Sequence, residues 1–277
     1  MTLVYLEYDF KISPLQPTSD ILIAELGELG FESFVETETG ILAYMLKSEW
    51  QDQNLESLFA FQNPDVKISW TRKEIEQQNW NAEWEKNFHP ILVGDRCMVR
   101  APFHQPEAVD YDIVIEPKMS FGTGHHETTH MMLQHILDDD FEGKTVLDMG
   151  CGTGVLAILA RKSGAVDVEA IDIDEWCFLN TQENVERNHC PEIKAFQGDS
   201  SLLKDKKYDV ILANINRNIL LEDIPTYADC LNKGGTLFLS GFYLDDLDAI
   251  SSKCGAYGLE FEKNLEKNNW VAAKYVN

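Results

Sequence analysis

Several things are scarce in this 277-residue chain, and each scarcity excludes a class of protein. No stretch approaches the ~20 consecutive apolar residues that a membrane helix needs. The opening Met1-Thr2-Leu3-Val4-Tyr5-Leu6-Glu7 has neither a basic segment nor a long apolar one, so no secretory signal is read, and the cytoplasm is the expected compartment. The 6 cysteines form no C-x-x-C pair, which argues against a disulfide framework and a zinc site and for reduced, buried thiols. Basic residues are few: 23 Lys and Arg stand against 47 Asp and Glu, a net charge of −24. Nucleic-acid binders carry the opposite imbalance. Direct nucleic-acid binding is therefore not expected, and a basic partner suits the charge better.

What is present reads as two units and a connector. Leu3 to Phe10 alternates, with Val4, Leu6, Tyr8 and Phe10 on one face. A helix follows from about Asp20, capped by Thr18 or Ser19 and ended by Gly30. Phe31–Thr37 and Ile41–Lys47 read as strands. Ser48 with Gln51 forms a capping-box pattern that predicts a second helix to about Phe61, and Val66–Thr71 closes the unit as a strand. The order β-α-β-β-α-β predicts a small ferredoxin-like α+β domain over residues 1–71. It carries 12 acidic and 3 basic residues, a net of −9, and reads as a recognition module. Residues 72–90 read as a polar helical connector with Trp80, Trp84 and Phe88 on one face. From residue 91 to 277, short strands at 91–94, 97–100 and 111–115 precede apolar strands alternating with amphipathic helices. That pattern predicts a mostly parallel sheet covered on both faces.

The chemistry concentrates around Asp148-Met149-Gly150-Cys151-Gly152-Thr153-Gly154, which follows a hydrophobic strand and opens a helix. Its spacing is G-x-G-x-G, where a dinucleotide site prefers G-x-G-x-x-G and room for a pyrophosphate. Asp148, just before the first glycine, suits a ligand bearing an ammonium group. S-adenosylmethionine has an ammonium, a carboxylate and a sulfonium, and no phosphate. Asp172 ends the next strand, 22 residues after Gly150, where a carboxylate can accept ribose hydroxyls. Asp199 follows the third strand and could meet the adenine edge, a turn residue being its plainer role. Asn214 ends the fourth strand, at the sheet edge where open α/β folds bind ligands.

Together these residues resemble the class I methyltransferase fold. The run Glu116-Pro117-Lys118-Met119-Ser120-Phe121-Gly122-Thr123-Gly124-His125-His126-Glu127-Thr128-Thr129 resembles, in addition, the signature loop of the ribosomal protein L-eleven methyltransferases. The resemblance covers the whole chain, including the Trp80/Trp84 connector, Ala213-Asn214-Ile215, Ser240-Gly241 and Trp270. It implies a Rossmann-like methyltransferase domain, S-adenosyl-L-methionine as cofactor, and cofactor contacts at Thr129, Gly150, Asp172 and Asn214. It also implies methylation of amines, lysine side chains and/or the N-terminal α-amine, on the basic stalk-base protein of the large ribosomal subunit. Departures fall in the loop, with His125 where Thr is usual and Glu127 where Pro is usual, and at Asn216, where an aliphatic residue is more common.

Asp148, Gly152, Gly124 and Asp199 complete the expected cofactor set. Asn214 and the Phe121–Gly124 loop are expected to orient the target amine, with no obligatory base and water taking the proton. His126, Glu127 and His130 could be read as metal ligands; no third ligand site is evident, and no metal is expected. A monomer is expected. The remaining readings are a methyltransferase for another protein, RNA or a small molecule, a nicotinamide-dependent oxidoreductase, and a non-catalytic S-adenosylmethionine-binding module.

Overall fold

The computed structural model describes residues 4–50, 55–76, 88–118 and 120–277. The chain forms two compact units, residues 1–86 and 87–277.

In the smaller unit, β1 (Val4–Ser13), α1 (Thr18–Glu28), β2 (Ser33–Thr37), β3 (Gly40–Leu46), α2 (Phe59–Gln62) and β4 (Lys67–Glu76) follow one another. The strands form an antiparallel sheet in the order β2-β3-β1-β4, the ferredoxin-like arrangement. The alternation of β1 places Leu6, Tyr8, Phe10 and Ile12 in the core, against Leu22 and Leu26 of α1. Gly30 ends α1 in a Schellman turn: Phe31 N–H donates to Leu26 O and Gly30 N–H to Gly27 O, with Gly30 at φ +94°.

Three local expectations change. Pro17 occupies the N-cap of α1, and Thr18 and Ser19 lie buried inside the helix without capping it. Among the described residues, the helix expected from Ser48 is represented by 3₁₀ turns at Lys47–Glu49 and Leu55–Ser57 and by α2, four residues long. Glu25 of α1 competes for this segment, because its carboxylate accepts the N–H groups of Phe59 and Ala60 and starts the helix there. Finally, β4 runs on to Glu76 where the connector was expected to be helical, since β1 still offers Val4 and Tyr5 as pairing partners. Trp80 and Trp84 lie outside the described residues.

The larger unit opens with a small sheet of β5 (Ile91–Val93), β6 (Cys97–Arg100) and β7 (Tyr111–Val114). Its main sheet comprises β8 (Thr145–Met149), β9 (Asp167–Asp172), β10 (Lys194–Gln197), β11 (Tyr208–Asn214), β12 (Leu231–Tyr243), β13 (Glu260–Lys267) and β14 (Trp270–Val276). Their order is β10-β9-β8-β11-β12-β14-β13, and β14 alone runs antiparallel to its neighbours. The helices are α3 (Glu127–Asp138), α4 (Val155–Lys162), α5 (Glu175–Arg187), α6 (Arg217–Cys230) and α7 (Leu247–Ala256).

Neighbouring residues of β8 feed opposite faces. Val146 joins one core layer with Leu133 of α3 and Ile158 of α4, while Leu147 joins the other with Leu220 of α6 and Ile250 of α7. The chain leaves β8 toward β9 and β10, then returns to build β11 and β12 on the other side. Strand order therefore reverses between β8 and β11, and a crevice opens at the carboxyl ends of these two strands.

Candidate active site

A cavity of about 670 Å³ lies in that crevice, within the range typical of small-molecule sites. Gly150 and Gly152 form part of its wall, at φ +71° and +56°. Side chains would not fit there. A Cβ on Gly152 would stand 2.2 Å from the Phe121 carbonyl oxygen, and one on Gly150 would stand 2.1 Å from Cγ2 of Ile215.

The turn is held from two sides. Gly152 N–H donates to Asp172 Oδ2 at 2.8 Å, and Asp174 N–H donates to Asp172 Oδ1 at 3.0 Å. Asp172 is thereby fixed at the end of β9, buried yet in the cavity wall. From the other side, Thr153 N–H donates to Phe121 O at 3.0 Å and Thr153 Oγ1 to Gly122 O at 2.7 Å. The Phe121–Gly122 loop is thus tied to the glycine turn. Phe121, half exposed, separates this cavity from a second one lined by Ser120, Thr123, His125 and His126.

Asn214 enters from the end of β11. Its Nδ2 donates to Thr129 Oγ1 at 3.3 Å, and its Oδ1 is buried with no partner among the described residues. An amide oxygen left this way costs free energy unless a ligand donates to it. Asn216 caps α6 by accepting from the N–H groups of Asn218 and Ile219.

Of the residues singled out from the sequence, Phe121, Gly150, Gly152, Asp172, Asp199 and Asn214 line the cavity together. Asp199 also serves its own turn, accepting from Ser201 N–H at 2.9 Å; hydrogen bonding from the Ser201 side chain and then its backbone holds the Asp199 carboxyl below the usual carboxylate pKa. Three do not line it. Asp148 is not among the lining residues: its Oδ2 accepts from Ala157 N–H in the first turn of α4 at 3.0 Å, while its Oδ1 is buried with no partner among the described residues. Burial pushes its carboxyl up to about 7, against the pull of the Ala157 bond, and the charge of Asp172 adds to the rise. Gly124 faces the side chain of Ile91. Thr129 is buried in α3 and reaches the cavity only through Asn214.

His126, Glu127 and His130 do not converge on a common point among the described residues. His126 caps α3 by accepting from Thr128 N–H, and Glu127 accepts from Asn268 Nδ2 at 2.7 Å. Burial lowers the basicity of His130.

Sequence reasoning missed the far wall. Ile219, Glu222, Asp223 and Thr226 line the cavity from one face of α6. Their spacing of i, i+3, i+4 and i+7 was readable as a single face, but half of it is charged and reads as solvated surface. With Asp172, Asp174 and Asp199 these acids bring five carboxylates to the cavity, and none of the described lining residues is Lys, Arg or His. A pyrophosphate would be repelled here; a ligand carrying positive charge would be attracted. The residues therefore fit S-adenosylmethionine, with its sulfonium and ammonium groups, in a cradle that only glycine permits.

Comparison with known proteins agrees with this geometry. The profile of the ribosomal protein L11 methyltransferase family (PrmA) matches residues 18–277. The ribosomal protein L11 methyltransferase of Bacteroides fragilis is 51% identical over 98% of this chain and 99% of its own length. That of Chlorobaculum tepidum is 37% identical over 92% and 91% respectively. Among solved structures, the ribosomal protein L11 methylase of Lactobacillus delbrueckii subsp. bulgaricus superimposes with a TM-score of 0.63 at 27% identity, covering 68% of this chain and 97% of that one. The chain belongs to the ribosomal protein L11 methyltransferase family, whose methyl donor is S-adenosyl-L-methionine.

Proposed function

We propose that this enzyme methylates amines of ribosomal protein L11, on lysine side chains and/or the N-terminal α-amine. The observation that carries this reading is the cavity that joins five carboxylates and no basic side chain to the unpartnered Oδ1 of Asn214. Family membership supports the protein substrate.

When bound, S-adenosylmethionine would supply a methyl group activated by its sulfonium, open to in-line attack by an amine lone pair, with the neutral thioether as the leaving group. The chain's own task is alignment, which can contribute roughly 7–11 kcal/mol. Gly150 and Gly152 let the backbone approach the donor, and Asp172 at the end of β9 is placed to accept its hydroxyl protons. Asn214 Oδ1 accepts an N–H of the incoming amine and turns its lone pair inward, while its Nδ2 is held by Thr129. Phe121 closes the wall and excludes water. A lysine amine titrates near ~10.4 and must lose a proton before it reacts. A dry site favours the neutral form, and solvent carries the proton away.

The remaining division of labour follows the charge. Residues 1–76, with a net of −9, serve as the module that recognises a basic protein, residues 77–90 connect, and residues 91–277 carry the chemistry. The enzyme acts as a cytoplasmic monomer.

The test is intact-mass spectrometry of purified ribosomal protein L11 after incubation with the enzyme and S-adenosylmethionine. Additions in steps of one methyl group are expected, and peptide mapping then locates the amines. No addition, despite cofactor binding by calorimetry, would remove the substrate and leave the donor site. A chain lacking residues 1–76 should lose protein methylation and keep cofactor binding.

A further inference from the structure

His125 occupies no wall of the donor cavity, yet it joins the loop that does to a separate piece of backbone. Its Nε2 donates to the His89 carbonyl at 2.9 Å, and its Nδ1 accepts from Thr123 Oγ1 at 3.0 Å. Its ring packs on Phe88 at 4.5 Å between centroids. The 88–91 segment is itself pinned to the larger unit. His104 Nδ1 accepts from Ala101 N–H, so its Nε2 carries the proton and donates to the Phe88 carbonyl at 2.5 Å. The Phe88 and His104 rings stack, and Ile91 faces Gly124.

These contacts form one physical path. The segment 88–91 holds His125 and Gly124; His125 holds Thr123; and Thr153 ties Gly122 and Phe121 to the glycine turn beside Asp172. We propose that His125 is a positioning residue for methyl transfer, setting the Thr123–Phe121 loop against the donor cavity from the fixed backbone of residues 88–89. This rests on reading that cavity as the S-adenosylmethionine site. The side chain is exposed, so a folding role is small, and only an imidazole or a side chain of similar reach spans the gap between Thr123 and His89.

Three variants of the full chain separate this role from simple packing. His125→Ala removes both bonds. His125→Asn places an amide where Nδ1 stands, within reach of Thr123 only. His125→Gln carries its amide to the place of Nε2 and keeps the bond to His89. Calorimetry with S-adenosylmethionine, methylation kinetics and thermal melting are run on each. Loss of the exposed hydrogen bond to His89, common to the Ala and Asn variants, predicts a drop of roughly 2- to 10-fold in donor affinity and in kcat for both. Gln is expected to recover most of it, and all melting temperatures should match the parent. Parent-like binding and turnover in His125→Ala overturns the proposal. So does equal loss in Asn and Gln, or a loss that tracks the melting temperature. A parent chain that binds no S-adenosylmethionine instead overturns the reading of the cavity, and this inference falls with it.

Discussion

Asn214 and Thr129, 85 positions apart, meet across a 3.3 Å hydrogen bond in which the amide nitrogen donates and the hydroxyl accepts. That bond leaves Asn214 Oδ1 as the free acceptor in the cavity. Asn214→Ala should lower kcat by ~10²-fold, the usual cost of losing one oriented polar group at a reacting centre. Thr129→Val, which releases the amide without removing it, should cost less. Steady-state methylation kinetics check both; equal effects from the two changes would mean that Asn214 has no role beyond packing.

Gly152 and Gly150 are expected to differ when replaced. Gly152→Ala drives a Cβ into the Phe121 carbonyl, a backbone atom that cannot move without undoing the loop. Left-handed backbone adds about 1–2 kcal/mol for any residue with a Cβ. Gly150→Ala meets only the Cγ2 of Ile215, a side-chain atom. The double change Gly150→Ala with Ile215→Ala should therefore regain donor affinity, measured by calorimetry, while no single side-chain change rescues Gly152→Ala.

Asp148 predicts a pH dependence of stability. An unfolded aspartate titrates near ~3.9, and burial raises the folded group to about 7. Between those values the folded chain binds more protons than the unfolded one, so this group's contribution falls as pH rises from about 4 to about 7 and is level above that. Each pKa unit corresponds to ~1.4 kcal/mol. Asp148→Asn, which can still accept from Ala157 N–H, should flatten that part of the profile in urea titrations taken from pH 4 to 8. An unchanged slope would show that Asp148 is not its source.

All 6 cysteines are buried, and burial holds Cys97 and Cys254 up to about 12 and raises Cys177. Cys177 alone among them borders the donor cavity. Slow alkylation of the native enzyme followed by peptide mass mapping should find Cys177 modified first, and S-adenosylmethionine should protect it. Faster labelling at another cysteine would contradict the placement of α5 at the cavity.

The parts legible in the sequence were those governed by short-range chemistry. Alternation in β1, the Schellman glycine at Gly30, and the glycine turn between Asp148 and Gly154 depend on residues a few positions apart, so their pattern suffices. The ends of β9 and β11 were equally clear, and with them Asp172 and Asn214. What was not legible has a cause of the opposite kind. Glu25 starts α2 from another helix, the first turn of α4 takes one oxygen of Asp148, and Thr129 meets Asn214 on a distant strand. The carboxylates of Glu222 and Asp223 look like surface until the reversal of strand order opens a cavity beside them. Local sequence thus determined the elements, the donor class and most of the glycine cradle. Which oxygen faces the ligand, and which is consumed by a backbone N–H, was decided only when the strands and helices closed on one another, because each polar group takes whichever partner packing brings within ~3 Å.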